Sequence, residues 1–253
     1  MRFAIAATAF VILALLTNAP WPKNRREYVD LVVVAVFIHG IYLTSVFWAI
    51  NQGTPAWVAG LIAGSQPLLA SILAGPTLGE MVSPRQWCGF GIGFLGVISV
   101  VWRDGDYSGI GPSIGIVVTV AGLIALTFGT LYQKRHGGST DLRTGQAVQQ
   151  ITLTMVLGIF ALSLETNEVQ WTGGFLFALG WLSLVLSTGM FSLLFIMLRR
   201  GTASAVSSLF FLVPPLTALE AHLLFDESLG VRDVAGMMLA AAGVALVTWQ
   251  RKA

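Results

Sequence analysis

Long apolar runs alternate with short polar clusters along this chain, and the spacing of the clusters predicts nine helices. The apolar runs cover approximately residues 2–18, 29–50, 55–75, 86–102, 112–132, 145–164, 173–198, 203–225 and 231–249, close to the roughly 17–25 residues that a helix needs to cross a bilayer core. No run sustains an alternation of period two, so strands are not expected. The expected fold class is an all-α polytopic membrane protein with about nine transmembrane helices.

Composition points the same way. Of the 253 residues, 55% are hydrophobic and 10% charged, and the mean hydropathy is +0.79, whereas a soluble domain carries about 25% charged residues. The net charge of +2 is small and dispersed, which argues against a nucleic-acid partner. The loops carry a directional signal. Lys23, Arg25, Arg26, Arg85, Lys134, Arg135, Arg143, Arg199, Arg200, Arg251 and Lys252 fall in alternate loops, while the other loops hold only Arg2, Arg103 and Arg232 beside acids such as Asp104, Asp106, Glu165, Glu168, Asp226, Glu227 and Asp233. The positive-inside rule makes the first set cytoplasmic. It places the C-terminus inside and Met1 outside.

The chain also repeats itself. "GTPAWVAGLIAGSQPLLA" from Gly53 aligns with "GTASAVSSLFFLVPPLTA" from Gly201, so that Gly53-Thr54, Val58, Leu61, Pro67, Leu68 and Ala70 recur 148 residues later. After a one-residue gap, Glu80 meets Glu227, Gly89 meets Gly236, Gly96-Val97 meets Gly243-Val244, and Trp102 meets Trp249. The two copies lie five spans apart, an odd displacement that reverses orientation in the membrane, as an inverted-topology repeat requires. We expect a first repeat of four spans over 1–105 and a second of five spans over 112–253.

One motif invites a different reading. Gly91-Ile92-Gly93-Phe94-Leu95-Gly96 spells G-x-G-x-x-G, but no strand precedes it and no acidic residue answers it about 20 positions on. In the second copy Gly89, Gly91, Gly93 and Gly96 become Gly236, Met238, Ala240 and Gly243. Small residues at helical spacing survive while the fingerprint is lost, which predicts that Gly89, Gly96, Gly236 and Gly243 pack helices closely.

A Gly-Thr entering a span with a central Pro, then a Glu, a short loop and a helix carrying Gly-x6-Gly-Val, occurs twice in the chain. This resembles the EamA-type family of the drug/metabolite transporter superfamily, most specifically in "GTASAVSSLFFLVPPLTALEAHLLFDESLGVRDVAGMMLAAAGVAL". The resemblance covers essentially the whole chain. It implies ten helices in two inverted five-helix repeats, cytoplasmic termini, a plasma (inner) membrane location, and export of a small metabolite such as an amino acid. The fifth span resembles the first helix of the second repeat, and the first repeat has no equivalent. "MRFAIAATAFVILALL" resembles the family's second helix, so the chain is expected to begin one helix late. A cleavable signal peptide over the same stretch is the rival reading, disfavoured by the repeat and by Pro20.

Inverted-repeat transporters bind substrate near the bilayer midplane, where interrupted helices free backbone groups. Pro67, Pro214 and Pro215 are the expected helix breaks, since each lacks an N–H. The substrate-cavity candidates are His39 and Tyr42 in the second span, Ser65 and Gln66 in the third, Trp181 in the seventh, and Ser207, Ser208 and Glu220 in the eighth. Thr44, Ser187 and Thr188 share these spans. Single hydroxyls in a membrane helix more often bond a neighbouring turn than a ligand. His39 near the centre of its span and Glu220 are the ionisable candidates for substrate or proton binding, and His222 reads as interfacial.

Three separated His and one Cys, Cys88, give no clustered metal ligands and no disulfide framework. No enzyme activity, metal or cofactor is expected. The expected partners are a small-molecule substrate and the lipid bilayer, with a homodimer as a further expectation. The alternative function is that of a non-transporting or partner-dependent membrane protein, a truncated duplicate.

Overall fold

The computed structural model describes residues 1–101, 113–138, 140–164, 169–216, 219 and 230–249. All of the regular structure among them is helical. Nine segments follow the nine apolar runs: α1 Arg2–Leu16, α2 Arg25–Asn51, α3 Ala56–Gly64 with Gln66–Leu78, α4 Pro84–Val101, α5 Ser113–His136, α6 Leu142–Leu164, α7 Gly173–Arg200, α8 Ala203–Leu216 and α9 Val231–Thr248. Six of these are both long and apolar enough to cross a membrane: α2, α3, α5, α6, α7 and α9. The described parts of α1 and α8 are apolar but shorter, and α4 opens on the polar turn Pro84-Arg85-Gln86.

Local chemistry sets several helix ends. The Asp141 carboxylate accepts the Arg143 N–H at 2.9 Å at the start of α6, and the Thr172 and Thr202 hydroxyls accept the N–H groups of Phe175 and Ala205, each at 3.2 Å. Each side chain satisfies a donor that has no partner inside the helix. Gly79 ends α3 at φ 69°, a left-handed conformation that glycine adopts without steric cost.

Three spans depart from α geometry in their middles. Ala35–Ile41 in α2 and Trp181–Met190 in α7 are π turns, and Leu209–Leu212 in α8 is a 3₁₀ turn. The third span breaks at Ser65, whose N–H and hydroxyl both turn back onto the Ile62 carbonyl at 3.1 and 2.6 Å. Pro67 therefore sits in the first turn of the resumed helix, and Pro214 and Pro215 follow the 3₁₀ turn in the same way. First-turn N–H groups have no intrahelical acceptor, so proline is tolerated there.

Two compact units draw on both halves of the sequence. One comprises Met1–Ile41 and Tyr132–Arg200, the other Tyr42–Leu131 and Gly201–Ala253. In the first, α1 packs on α6 and on the π turn of α7 through Ala6, Ala7, Phe10 and Ala14, while α6 also packs on α2 and its π turn. Polar loops gather at one end of this unit. There Lys134 donates to the Leu198 carbonyl at 2.6 Å, Arg199 to the Gly137 carbonyl at 2.7 Å and to that of Thr140, and the Thr144 hydroxyl to the Pro20 carbonyl at 2.8 Å.

The second unit is built on the crossing of α4 and α9, beside a core of Phe90, Val97, Phe211, Ala240, Val244 and Val247. The crossing is made by glycines. A Cβ on Gly96 would lie 2.7 Å from the Gly236 carbonyl, and one on Gly236 would lie 2.9 Å from the Gly96 carbonyl; Gly89 and Gly243 face each other in the same reciprocal way. Gly93 has the Phe211 ring against it. The G-x-G-x-x-G sequence thus lies wholly inside α4, where it forms no phosphate-cradling loop. At one end of this unit the Glu80 carboxylate accepts the Ala203 N–H at 2.9 and 3.0 Å and the Ser204 N–H at 3.4 Å, capping α8.

Candidate functional site

Two buried polar clusters stand out, one in each unit. In the first unit the π turn of α2 presents His39, 1% exposed. Its ring lies edge-on to Phe191 at 4.1 Å between centroids and to Phe3 at 6.4 Å, and the Arg2 guanidinium lies over Phe3 at 4.4 Å. The Gln149 side chain of α6 faces the imidazole. Neither ring nitrogen has a well-aligned hydrogen-bond partner among the described residues.

Gln149 belongs to a set. Gln146, Gln149 and Gln150 are all buried and, at i, i+3 and i+4, share one face of α6. Gln150 donates to the Ser187 carbonyl in the π turn of α7 at 3.5 Å. The Oε1 atoms of all three, and Nε2 of Gln146, have no partner among the described residues. The carboxamide face of α6 thus meets both π turns, toward His39 and toward Ser187. These two residues are 148 positions apart, the same displacement that relates the repeated sequences. A buried polar group without a hydrogen bond costs about 1–3 kcal/mol, and π turns are frequent at functional sites. Such a cluster can bind a hydrogen-bonding solute once it is opened to one.

In the second unit Gln66, fully buried, donates to the Ser207 hydroxyl at 3.4 Å and leaves its Oε1 unpartnered among the described residues. Ser204 and Thr54 carry further buried hydroxyl oxygens without a partner among the described residues. The interruption at Ser65 puts Gln66 in a first helical turn, where Pro67 has no N–H and the Leu68 and Leu69 N–H groups both donate to the Ser65 carbonyl, at 3.1 and 3.4 Å.

Other sequence candidates have local roles. Ser65 and Ser208 donate to the Ile62 and Ala205 carbonyls at 2.6 and 2.7 Å, and Thr188 donates to the Ser183 carbonyl at 3.0 Å. Trp181 is half exposed and stacks on Phe177 at 6.2 Å. Tyr42 is half-buried. Glu220, His222, Asp226 and Glu227 lie outside the described residues. Among the described residues no three His, Cys, Asp or Glu side chains converge as a metal site.

The sequence pattern of the EamA-like transporter family matches residues 1–102 and 113–249, nearly the whole chain. The chain belongs to the EamA-like transporter family. Two relatives of this EamA-like transporter carry the same broad description. An uncharacterized transporter of Archaeoglobus fulgidus is 28% identical over 262 residues, covering 99% of this chain and 87% of the relative. The uncharacterized transporter YvbV of Bacillus subtilis is 27% identical over 200 residues, covering 79% of this chain and 65% of its own length. A protein of known crystal structure shares the fold with a TM-score of 0.80 at 17% identity, over 98% of this chain and 85% of its own.

The glutamines of α6 escaped the sequence reading of this EamA-like transporter. Residues 146–150 read Gln-Ala-Val-Gln-Gln, and carboxamides carry no charge to mark them among ionisable candidates. The usable signal was their i, i+3, i+4 spacing within a span, which puts three costly groups on one stripe.

Proposed function

We propose that this EamA-like transporter is a secondary transporter that exports a small metabolite, such as an amino acid, across the plasma membrane by alternating access. The observation that carries the reading is the face of Gln146, Gln149 and Gln150 set toward His39 and the two π turns, since each carboxamide oxygen left unpartnered among the described residues costs about 1–3 kcal/mol. Gln66 and Ser207 supply a second set of substrate-binding groups. The reciprocal glycine contacts of α4 and α9, and the 148-residue displacement between His39 and Ser187, support two inverted repeats of four and five spans. The lysines and arginines that gather at one end of the first unit support a cytoplasmic assignment for that end, with the C-terminus on the same side.

Flux of a labelled metabolite panel in proteoliposomes under a pH gradient tests this. Saturable, gradient-dependent flux is expected, and its absence across the panel would favour a partner-dependent membrane protein. With His39→Ala in a working carrier, the pH dependence of flux is expected to flatten. An unchanged pH profile removes His39 from proton coupling.

A further inference from the structure

A separate cavity lies at the loop-bearing end of the first unit, lined by Glu27, Asp30, Gln133, His136, Gly137 and Thr140 together with the apolar Leu31 and Val34. Its volume is about 10 Å³, enough for one water-sized particle. The side chains on its wall are acceptors or can act as such. Glu27 and Asp30 are half-buried, while the adjacent Lys23, Arg25 and Arg26 are exposed. Asp30 accepts the Tyr132 hydroxyl on Oδ1 at 2.6 Å. The two oxygens of Glu27 accept the Lys23 N–H at 2.9 Å and the Asn24 amide at 3.3 Å. A carboxylate has room for about four donors, so both acids keep acceptor capacity.

Gln133 supplies a second, independent observation. It is 4% exposed, lines the cavity, and its Oε1 has no partner among the described residues. Nδ1 of His136 lies 3.3 Å from the Tyr132 carbonyl; a proton on that nitrogen leaves Nε2 as an acceptor. Arg199 is bonded to the Gly137 and Thr140 carbonyls in the cavity wall. The two carboxylates stand beside a space too small for an organic cation, and no three His, Cys, Asp or Glu side chains converge there among the described residues.

We infer that this cavity binds a single monovalent metal cation, Na⁺ or K⁺, held by Asp30, Glu27 and the Gln133 carboxamide oxygen. The ion ties the start of α2 to the end of α5.

Purified protein in neutral detergent would be unfolded thermally in KCl, NaCl or N-methyl-D-glucamine chloride at equal ionic strength. The expected result is a saturable rise in the unfolding temperature of about 2–4 °C with one or both metal cations over the organic one. The K⁺ and Na⁺ arms identify the ion. Asp30→Asn and Gln133→Leu are expected to lose the difference, while Glu80→Gln, in the other unit, keeps it. Equal unfolding temperatures for the wild-type protein in all three salts would overturn the inference and leave water as the occupant.

Discussion

Gln146 has both polar atoms of its carboxamide buried and unpartnered among the described residues, so its contributions to stability and to transport are opposed. Gln146→Leu keeps the volume and removes the desolvated amide, and a gain of about 1–3 kcal/mol in stability is expected. The same change should lower flux. Unfolding and proteoliposome uptake measured on one preparation check both halves, and a variant that is destabilised but transports normally would contradict the assignment. At this scale the sequence was half legible. Gln66 and His39 could be picked out because a central proline and an ionisable ring are conspicuous inside a span. The glutamines of α6 were missed, and no residue type announces a π turn, because the extra residue per turn is an accommodation to packing between helices.

Among the elements, the crossing of α4 and α9 gives the sharpest expectation. A side chain on Gly96 meets the backbone of α9, with the Ala240 nitrogen 2.5 Å and the Gly236 carbonyl 2.7 Å from the new Cβ, and backbone cannot rotate away. Gly96→Val is expected to destabilise by about 1–3 kcal/mol, read as a loss of resistance to denaturant in detergent, whereas Gly91→Val, with nothing near its Cβ, should be close to neutral. The Gly-x6-Gly spacing, which recurs in both stretches, marked these glycines for close helix packing but did not say which helix each would meet. The position of the helix breaks was less legible: proline marks where a helix can resume, so the interruption at Ser65 falls upstream of Pro67.

Helix α6 offers a second test at the same scale. Arg143 holds the Asp141 carboxyl below the usual carboxylate range through bonds at 2.7 and 2.9 Å. A depressed folded-state value means the stabilisation is present above the ordinary carboxylate pKa and is lost as pH falls through the lowered one. Asp141→Asn should therefore destabilise at neutral pH and make no difference in strong acid. A pH series of unfolding midpoints for the two proteins measures the convergence.

At the scale of the whole molecule, the alternation of charged loops was the most informative sequence feature. Three of the loops rich in Lys and Arg meet within one unit, where Thr144 bonds Pro20 and Arg199 bonds Gly137 and Thr140. The alternation was blind to the interleaving of the two units, because hydropathy orders spans along the chain and carries no information about which ones pack together. The two stretches with matching glycines lie in one unit, and the glycine faces of α4 and α9 fit against each other.

That interleaving has a consequence for biosynthesis. Helix α4 ends at Val101 and its partner α9 begins at Val231, so at a translation rate of about 5–20 residues per second the glycine face of α4 waits roughly 7–26 s for the strand of peptide that covers it. During that interval the nascent chain holds a flat, small-residue surface against lipid or against the insertion machinery. Ribosome-arrested chains that stop before Val231 should therefore crosslink from the Gly89 and Gly96 face to insertase or lipid, and chains released beyond Thr248 should not.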